Sequence, residues 1–272
     1  MKGRVLIVAG SDSGGGAGIQ ADIKAVTMLD AFAATAVTAL TAQNTEGVHG
    51  VLPIDPTFIR QQMEVVLDDI GADAIKTGML HDAAVIDTVA GVLADRAPNV
   101  PLVLDPVMVA KGGAPLIQPE AIDALKLRLL PRAAVLTPNL PEAELLCGRE
   151  IGTIPAMREV AQALLTLGCG AVLLKGGHLQ GDRVHDVLAT AAGFEEWTSP
   201  RIDTRHTHGT GCTLAAAIAA GLAQGMTVSA AIGRARDYVQ RAIASAPGFG
   251  RGHGPLDHAH PLRASSYVPG QG

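Results

Sequence analysis

Aromatic side chains are scarce in this sequence: only 3% of its 272 residues are Phe, Trp or Tyr. Proteins that bind single-stranded nucleic acid stack the bases on aromatic rings, so this scarcity argues against that class. Positive charge is not concentrated either, because the formal net charge is −5 and no cluster of Lys or Arg stands out. We therefore expect no nucleic-acid partner and no partner at a membrane surface.

Long apolar runs and pairable cysteines are also missing. No run approaches the roughly 18 apolar residues that a membrane span needs, and the N-terminus shows no signal-peptide pattern. The three cysteines, Cys147, Cys169 and Cys212, cannot all pair and form no C-x-x-C motif. This usage is typical of a reducing compartment. We expect a soluble cytoplasmic protein that makes no membrane contact.

Strand-like and helix-like segments alternate along the chain. Short apolar runs typical of strands buried on both faces occur at residues 4–9, 34–42, 73–80, 101–105, 133–137 and 170–175. Patterns typical of amphipathic helices follow many of these runs, at about residues 83–94, 156–167 and 228–244. In the first helix, the spacing turns Ile19, Ile23 and Val26 towards the core and leaves Asp22 and Lys24 off that face.

This order predicts an α/β fold with a mostly parallel sheet and helices on both faces. Residues 47–54 indicate a hairpin strand, and the alternating runs at 184–190 and 194–198 indicate a small antiparallel edge. No repeat and no linker divides the chain, so we predict one domain over residues 1–272, with a flexible tail from about residue 261.

The common nucleotide-binding motifs are absent. The glycines of residues 10–18 do not have the G-x-G-x-x-G spacing, Gln43 and Asn44 stand where an acidic ribose ligand would be, and there is no Walker P-loop. The glycine loop is better suited to bringing the backbone close to a small substrate. Gln43, at the end of the second strand, offers a donor and an acceptor side by side, which suits an aminopyrimidine edge. The alternative is that Gln43 is an ordinary polar loop residue.

Residues 208–212, His-Gly-Thr-Gly-Cys, precede an alanine-rich run at 213–220 that predicts a buried helix. Gly209 and Gly211 leave backbone N–H groups bare at the positive end of that helix, which favours an anion. Cys212 falls in the first turn, where the helix dipole is expected to lower its thiol pKa. The alternatives are a simple tight turn and a small packed cysteine.

Three further places carry candidate chemistry. Asp105 closes a buried strand at the expected ligand edge, and the glycine-bearing loop 106–113 after it suggests a mobile flap. Asn139 and Glu142 fit a helix capping box and equally fit a pair that positions Mg²⁺ near phosphates. The histidines of residues 253–260 allow a metal site but lack a recognised ligand spacing.

Taken together, seven motifs between about residues 5 and 258 resemble the hydroxymethylpyrimidine/phosphomethylpyrimidine kinase family of thiamine biosynthesis, within the ribokinase superfamily. The motifs lie at residues 10–22, 41–45, 76–80, 105–108, 137–142, 175–178 and 207–213. The resemblance implies a ribokinase-like three-layer αβα fold. It also implies ATP-dependent phosphorylation of 4-amino-5-hydroxymethyl-2-methylpyrimidine and then of its monophosphate, with Mg²⁺.

The resemblance also implies roles for individual residues. It places the pyrimidine against Gln43, Gly10, Asp22, Met79 and Val107. It makes one turn the catalytic anion hole, formed by Gly209, Thr210, Gly211 and Cys212. On the nucleotide side it places Lys175, Asn139, Thr207 and His208, with Asp105 and Glu142 positioning the Mg²⁺.

Cys212 stands where the superfamily usually has an aspartate as general base. Phosphoryl transfer depends mainly on positioning and charge stabilisation, so a weak base can suffice. The first acceptor is an alcohol that must lose a proton, whereas the second is an anionic phosphate. We therefore expect Cys212→Ala to impair the first transfer more than the second.

The chain departs from the family pattern at Ala114, where relatives often have an acidic residue, and at His206, where Asn is common. A pyridoxal or pyridoxine kinase on the same fold is the main alternative function. A non-catalytic metabolite-binding relative is the alternative from another class. A sugar kinase is disfavoured because the chain lacks a polar lid insertion. Apolar edge strands without a lid suggest a homodimer.

Overall fold

The structure, a computed structural model, describes residues 1–109 and 116–264, and these residues form one nine-stranded sheet with helices on both faces. The strands are β1 (Arg4–Asp12), β2 (Phe32–Gln43), β3 (Val48–Pro53), β4 (Ala74–Thr77), β5 (Leu102–Leu104), β6 (Ala133–Leu136), β7 (Ala171–Lys175), β8 (Arg183–Thr190) and β9 (Gly193–Pro200). The helices are α1 (Gly18–Met28), α2 (Pro56–Asp69), α3 (Ala83–Arg96), α4 (Pro119–Ala124), α5 (Leu140–Cys147), α6 (Ile154–Leu165), α7 (Thr210–Ala223), α8 (Val228–Ala244) and α9 (His260–Ala264). A π turn at Leu125–Leu129 and a 3₁₀ turn at Leu130–Arg132 continue α4 into β6.

The strand order is β3-β2-β1-β4-β5-β6-β7-β8-β9. The six central strands, β2, β1, β4, β5, β6 and β7 in sheet order, are mutually parallel. β3 pairs antiparallel with β2 at one edge, and β8 and β9 form an antiparallel hairpin beside β7 at the other. The predicted mostly parallel sheet with antiparallel edges is therefore confirmed.

Alternate residues of β1 face the two helical layers. Val5, Ile7 and Ala9 belong to the core shared with α1, α7 and α8. Leu6 and Val8 belong to the core shared with α2 to α6. A strand buried on both faces needs apolar residues at every position, which explains the continuous apolar run at the start of the chain.

Helix α7 lies in the core, and every residue from 213 to 221 is buried. Its small side chains allow close packing: a Cβ added at Gly221 would lie 2.7 Å from the Ala231 Cβ on α8. The predicted buried helix is thus confirmed. Among the described residues, no helix combines the length and apolar character that crossing a membrane would require.

The predicted orientation of α1 is wrong at two positions. Asp22 is completely buried, whereas Ile23 is 36% exposed. A carboxylate can occupy the buried face because Lys76, on β4, supplies a cation 2.8 Å away.

Two sequence predictions fall wholly or partly outside the described residues. Of the suggested flap, the structure describes only residues 106–109, and Ala114 lies outside. At the C-terminus, α9 occupies the start of the suggested tail, and residues 265–272 lie outside.

Candidate active site

The carboxyl ends of the parallel strands bring most of the predicted site residues to one edge of the sheet. β2 ends at Gln43, β1 at Asp12 and β7 at Lys175, while Asp105 directly follows β5 and Asn139 closely follows β6. The chain places β2 and β4 on opposite sides of β1, so the winding of the sheet reverses at β1. Open α/β sheets bind ligands at such a reversal.

The start of α7 lies at this edge and packs against the glycine-rich loop. Gly209 is the residue before the helix, with φ +80°, and a Cβ added there would overlap the carbonyl oxygen of Gly16. Only glycine fits both the conformation and the space. The Thr210 hydroxyl donates to the Thr207 carbonyl at 2.8 Å, which secures the turn. The first N–H groups of a helix have no acceptor within the helix, so this end can bind an anion.

Lys175 adds a positive charge beside the first turn of α7. A Cβ added at Gly211 would lie 3.2 Å from Lys175 Nζ. The same ammonium lies 3.1 Å from Asp105 Oδ1, which also accepts a hydrogen bond from the Thr137 hydroxyl at 3.0 Å. Burial lowers the pKa of Lys175, but Asp105 and Glu142 raise it by more, so it stays above its ordinary value. The adjoining helix terminus and ammonium together suit phosphate oxygens.

Asn139 and Glu142 form the predicted capping box at the start of α5. Asn139 Oδ1 accepts from the Glu142 N–H at 2.9 Å, and Glu142 Oε2 accepts from the Asn139 N–H at 2.8 Å. Glu142 is nevertheless buried. Burial raises its pKa to about 7, and the nearby charge of Asp105 adds to this rise while Lys175 opposes it.

The neighbouring carboxylates of Asp105 and Glu142 fit a magnesium ion that is also bound by phosphates. Mg²⁺ commonly takes one or two carboxylates from the protein and completes its shell with water and phosphate oxygens. In the described part of the chain, no group of three or more His, Cys, Asp and Glu side chains is arranged to hold a metal by itself. His258, one of the histidines near the C-terminus, instead lies 2.9 Å from the Thr213 hydroxyl.

Cys212 is the third residue of α7, as predicted, but the expectation of a lowered thiol pKa is wrong. Burial raises the pKa of the thiol to about 12. Lys76 and the Gly18 N–H oppose this rise, and the charges of Asp22 and Asp105 add to it. The positive end of the helix does not offset the loss of thiolate hydration and the repulsion by two nearby carboxylates.

Asp22 and Lys76 form an ion pair inside the protein, and neither side chain has any exposed surface. Burial raises the pKa of Asp22 to about 6, and the attraction of Lys76 keeps it from rising further. The pKa of Lys76 lies above its ordinary value because its negative neighbours outweigh its burial. Asp22 Oδ1 has no hydrogen-bond partner among the described residues. The expected contact between Asp22 and a pyrimidine would require this side chain to become accessible.

Lys76 is a residue for which sequence reasoning assigned no individual role. The available signal was a lysine inside a short, otherwise apolar strand, because such a lysine needs a buried partner. The sequence could not show that the partner would be Asp22, 54 residues earlier.

Gly10, Met79 and Val107 lie at the carboxyl ends of three neighbouring strands. A Cβ added at Gly10 would lie 2.9 Å from Met79 Cε, so glycine makes room for the methionine. Met79 is buried, and Val107, two residues after Asp105, is half-buried. These apolar groups could contact the faces of a small ring.

His208, predicted for the nucleotide side, contacts Gln43, which was predicted for the substrate. Its Nε2 atom is 2.9 Å from Asp12 Oδ2 and 3.2 Å from Gln43 Nε2. Asp12 also accepts backbone N–H groups from Gly14, Gly16 and Ala17 at 2.7–3.0 Å, which organises the glycine loop. Burial would raise the pKa of Asp12, but these bonds and His208 lower it below its ordinary value.

Comparison with known proteins agrees with this geometry. The family model for phosphomethylpyrimidine kinase matches residues 12–257. The hydroxymethylpyrimidine/phosphomethylpyrimidine kinase of Bacillus subtilis is 46% identical over 256 residues, which are 94% of each chain. The thiamine biosynthesis bifunctional protein ThiED of Geobacter sulfurreducens is 52% identical over 258 residues, or 94% of this chain. The present chain spans about half of that protein's length (52%).

Among solved structures, an ADP complex of Bacillus subtilis pyridoxal kinase superposes with a TM-score of 0.89 at 39% identity. The match covers 97% of this chain and 99% of that one. Kinases named for two different heteroaromatic substrates therefore resemble this chain.

Proposed function

The chain belongs to the phosphomethylpyrimidine kinase family, and on this premise we propose that it phosphorylates 4-amino-5-hydroxymethyl-2-methylpyrimidine and then its monophosphate. ATP is the phosphoryl donor, and the diphosphate product serves thiamine biosynthesis. The observation that carries the proposal is the family match over residues 12–257. The matched range includes Gln43, Lys175 and the start of α7.

The phosphoryl group would be held where α7 begins. The first turn of α7 and the Lys175 ammonium are adjacent, so together they can neutralise charge on the transferring group. Phosphoryl transfer is catalysed mainly by positioning and charge stabilisation, which this arrangement provides. Asp105 and Glu142 are the residues that would hold Mg²⁺, which neutralises phosphate charge when bound.

The pyrimidine would lie at the ends of β1, β2, β4 and β5. The Gln43 amide can pair with the aminopyrimidine edge, while Gly10, Met79 and Val107 can contact the ring. Cys212 lies near both Lys76 and Lys175, because the charge of its thiolate raises the pKa of each lysine.

Phosphorylation of pyridoxal is the second candidate function. It is favoured by the structural similarity to Bacillus subtilis pyridoxal kinase. Both candidate acceptors are hydroxymethyl heteroaromatic compounds, so one site of this kind can accept both. The amide of Gln43 favours the aminopyrimidine, since it can satisfy an amino group and a ring nitrogen together.

The proposal extends to the setting of the enzyme. The continuous sheet supports a single domain, and the unpaired Cys147, Cys169 and Cys212 suit a reducing cytoplasm. A homodimer is supported by exposed apolar side chains at the β3 edge, where Leu52 on β3 is 62% exposed and Leu40 on β2 is 45% exposed.

An ATP-dependent assay read by mass spectrometry tests the function directly. The pyrimidine, its monophosphate and pyridoxal are offered separately, each with Mg²⁺ and with EDTA. We expect diphosphate from both pyrimidine substrates, little pyridoxal phosphate, and no product with EDTA. Pyridoxal phosphate as the main product would support the second function instead, and no product from any acceptor would contradict both.

A further inference from the structure

We propose that His208 is a positioning residue that holds the Gln43 amide in one orientation and so makes the site selective for the order of donor and acceptor on its ligand. The inference deepens the proposed function and rests on it, because it concerns how Gln43 recognises an aminopyrimidine. It depends on four residues that meet at the ends of β1 and β2: Asp12, Thr41, Gln43 and His208.

Asp12 determines which ring nitrogen of His208 carries a proton. An ionised carboxylate can only accept hydrogen bonds. Asp12 already accepts three backbone N–H groups, and its Oδ2 lies 2.9 Å from His208 Nε2. His208 Nε2 must therefore carry a proton and donate it.

This proton determines which end of the Gln43 amide can face the ring. The nearer amide atom, recorded as Nε2, lies 3.2 Å from His208 Nε2. Two N–H groups would then point at each other. The oxygen and nitrogen of an amide have nearly the same shape, so their assignment follows from the hydrogen bonds around them. Turning the amide over places its oxygen here, where it can share the His208 proton.

Thr41 leads to the same orientation from the other end of the amide. Its hydroxyl donates to the Ser11 carbonyl at 2.8 Å, so the hydroxyl oxygen can only accept from another neighbour. The far atom of the Gln43 amide lies 3.4 Å from that oxygen, within reach of a weak hydrogen bond. An amide nitrogen can donate to it, whereas an amide oxygen cannot. Both ends therefore favour oxygen towards His208 and nitrogen towards Thr41.

An amide held in one orientation recognises the order in which a ligand presents its donor and its acceptor. It keeps one acceptor site on the His208 side and one N–H on the Thr41 side for a ligand. A 4-aminopyrimidine matches this order through its amino group and ring nitrogen. The 4-oxo analogue presents the reverse order, a carbonyl acceptor and a ring N–H, and would leave both pairs unmatched.

The surrounding contacts make His208 suitable for substitution. Its backbone N–H donates to the Gly254 carbonyl at 3.1 Å, and Asp12 keeps its three backbone donors when the imidazole is removed. The flat ring packs closely on Gly16, since a Cβ added there would lie 2.5 Å from His208 Cδ2. His208→Phe therefore keeps a flat ring and removes the proton donor. His49→Phe is a matched control, because it is the same substitution at an exposed histidine that bonds to Asn44, the residue after Gln43.

The experiment uses equilibrium dialysis without ATP to measure the affinity of the protein for the 4-amino pyrimidine and for its 4-oxo analogue. We expect the wild type and His49→Phe to prefer the 4-amino compound by about 10- to 100-fold. We expect His208→Phe to reduce this preference to about threefold or less, because the freed amide can turn over. In a Gln43→Ala background, His208→Phe should have no further effect on the preference.

Unchanged discrimination in His208→Phe would overturn the inference. A second measurement on the wild type needs no variant: nitrogen-15 NMR should show His208 protonated at Nε2, and an unprotonated Nε2 would also overturn it. A wild type that discriminates as expected but phosphorylates neither pyrimidine would overturn the proposed function alone. A wild type that phosphorylates both while His208→Phe keeps full discrimination would overturn this inference alone.

Discussion

Two lysine–aspartate pairs flank the start of α7, and they differ in whether a ligand can reach them. Lys76 and Asp22 have no exposed surface at all, with 2.8 Å between Nζ and Oδ2. Lys175 keeps 14% of its side chain exposed beside nearly buried Asp105, with 3.1 Å between Nζ and Oδ1. The closed pair can act only on the protein around it, whereas the open pair can exchange some of its contacts for those of a ligand.

The position of each lysine on its strand explains the difference. Lys76 lies within β4, and its buried side chain reaches Asp22 on α1. Lys175 is the last residue of β7, so its side chain emerges at the edge itself. The same two residue types therefore give a structural pair in one place and a candidate phosphate-binding pair in the other.

The largest effect is expected from breaking the closed pair with Lys76→Met. Removing the cation leaves a carboxylate that has no water to solvate it, and breaking a buried pair in this way costs about 3–5 kcal/mol. The free energy of unfolding, measured in urea, should fall by about this amount. Lys76→Met with Asp22→Leu should regain most of the loss. A loss below about 1 kcal/mol in the single variant would show that the pair contributes no more than a surface ion pair.

Breaking the open pair with Lys175→Met should separate activity from stability. We expect the rate of phosphoryl transfer to fall by about 10²- to 10³-fold, as on removing one donor to a developing charge. The unfolding free energy should change less than in Lys76→Met, because Asp105 keeps its hydrogen bond from Thr137. Single-turnover rates and urea unfolding of the same samples measure both, with Lys2→Met as the surface control. Similar stability losses in the Lys76 and Lys175 variants would erase the distinction between the pairs.

The fold was largely predictable because its signals are local. Residues 228–244 were predicted as a helix, and α8 spans Val228–Ala244, with Thr227 accepting from the Ala230 N–H. The Asn139–Glu142 capping box was likewise readable from the sequence and is confirmed. Periodicity and caps depend on residues a few positions apart, so tertiary structure need not be known.

Most residues predicted for the site lie at one edge of the sheet, but which of them contact each other could not be predicted from the sequence. Asp22 was expected off the buried face because its partner, Lys76, is distant in sequence. His208 contacts Gln43, 165 residues away in sequence, and Asp12, 196 residues away, and neither contact could be predicted from the sequence. The thiol pKa of Cys212 was expected to fall from the helix dipole, a local effect, and it rises through burial, a tertiary effect. Which charges share a site is decided by the packing of α1, β4 and α7 together.

Cys212 interacts with residues of both pairs, and its titration gives the smallest and most specific test. Because burial raises the pKa of the thiol to about 12, it is almost entirely protonated near neutral pH, and its ionised fraction grows with pH. If the thiolate accepts the alcohol's proton, the first transfer should speed up by about tenfold per pH unit between about pH 7 and about pH 9. The second transfer, to an anionic phosphate, should lack this dependence.

In Cys212→Ala the pH dependence of the first transfer should disappear. Near pH 7 the variant should lose less than the roughly 10²- to 10⁴-fold that a fully active general base contributes, because so little thiolate is present there. Single-turnover rates of both transfers, measured across the same pH range, give the comparison, and the second transfer is the internal control. Equal losses in both transfers would show that Cys212 is a packing residue. Catalysis would then depend on charge stabilisation by Lys175 and the start of α7.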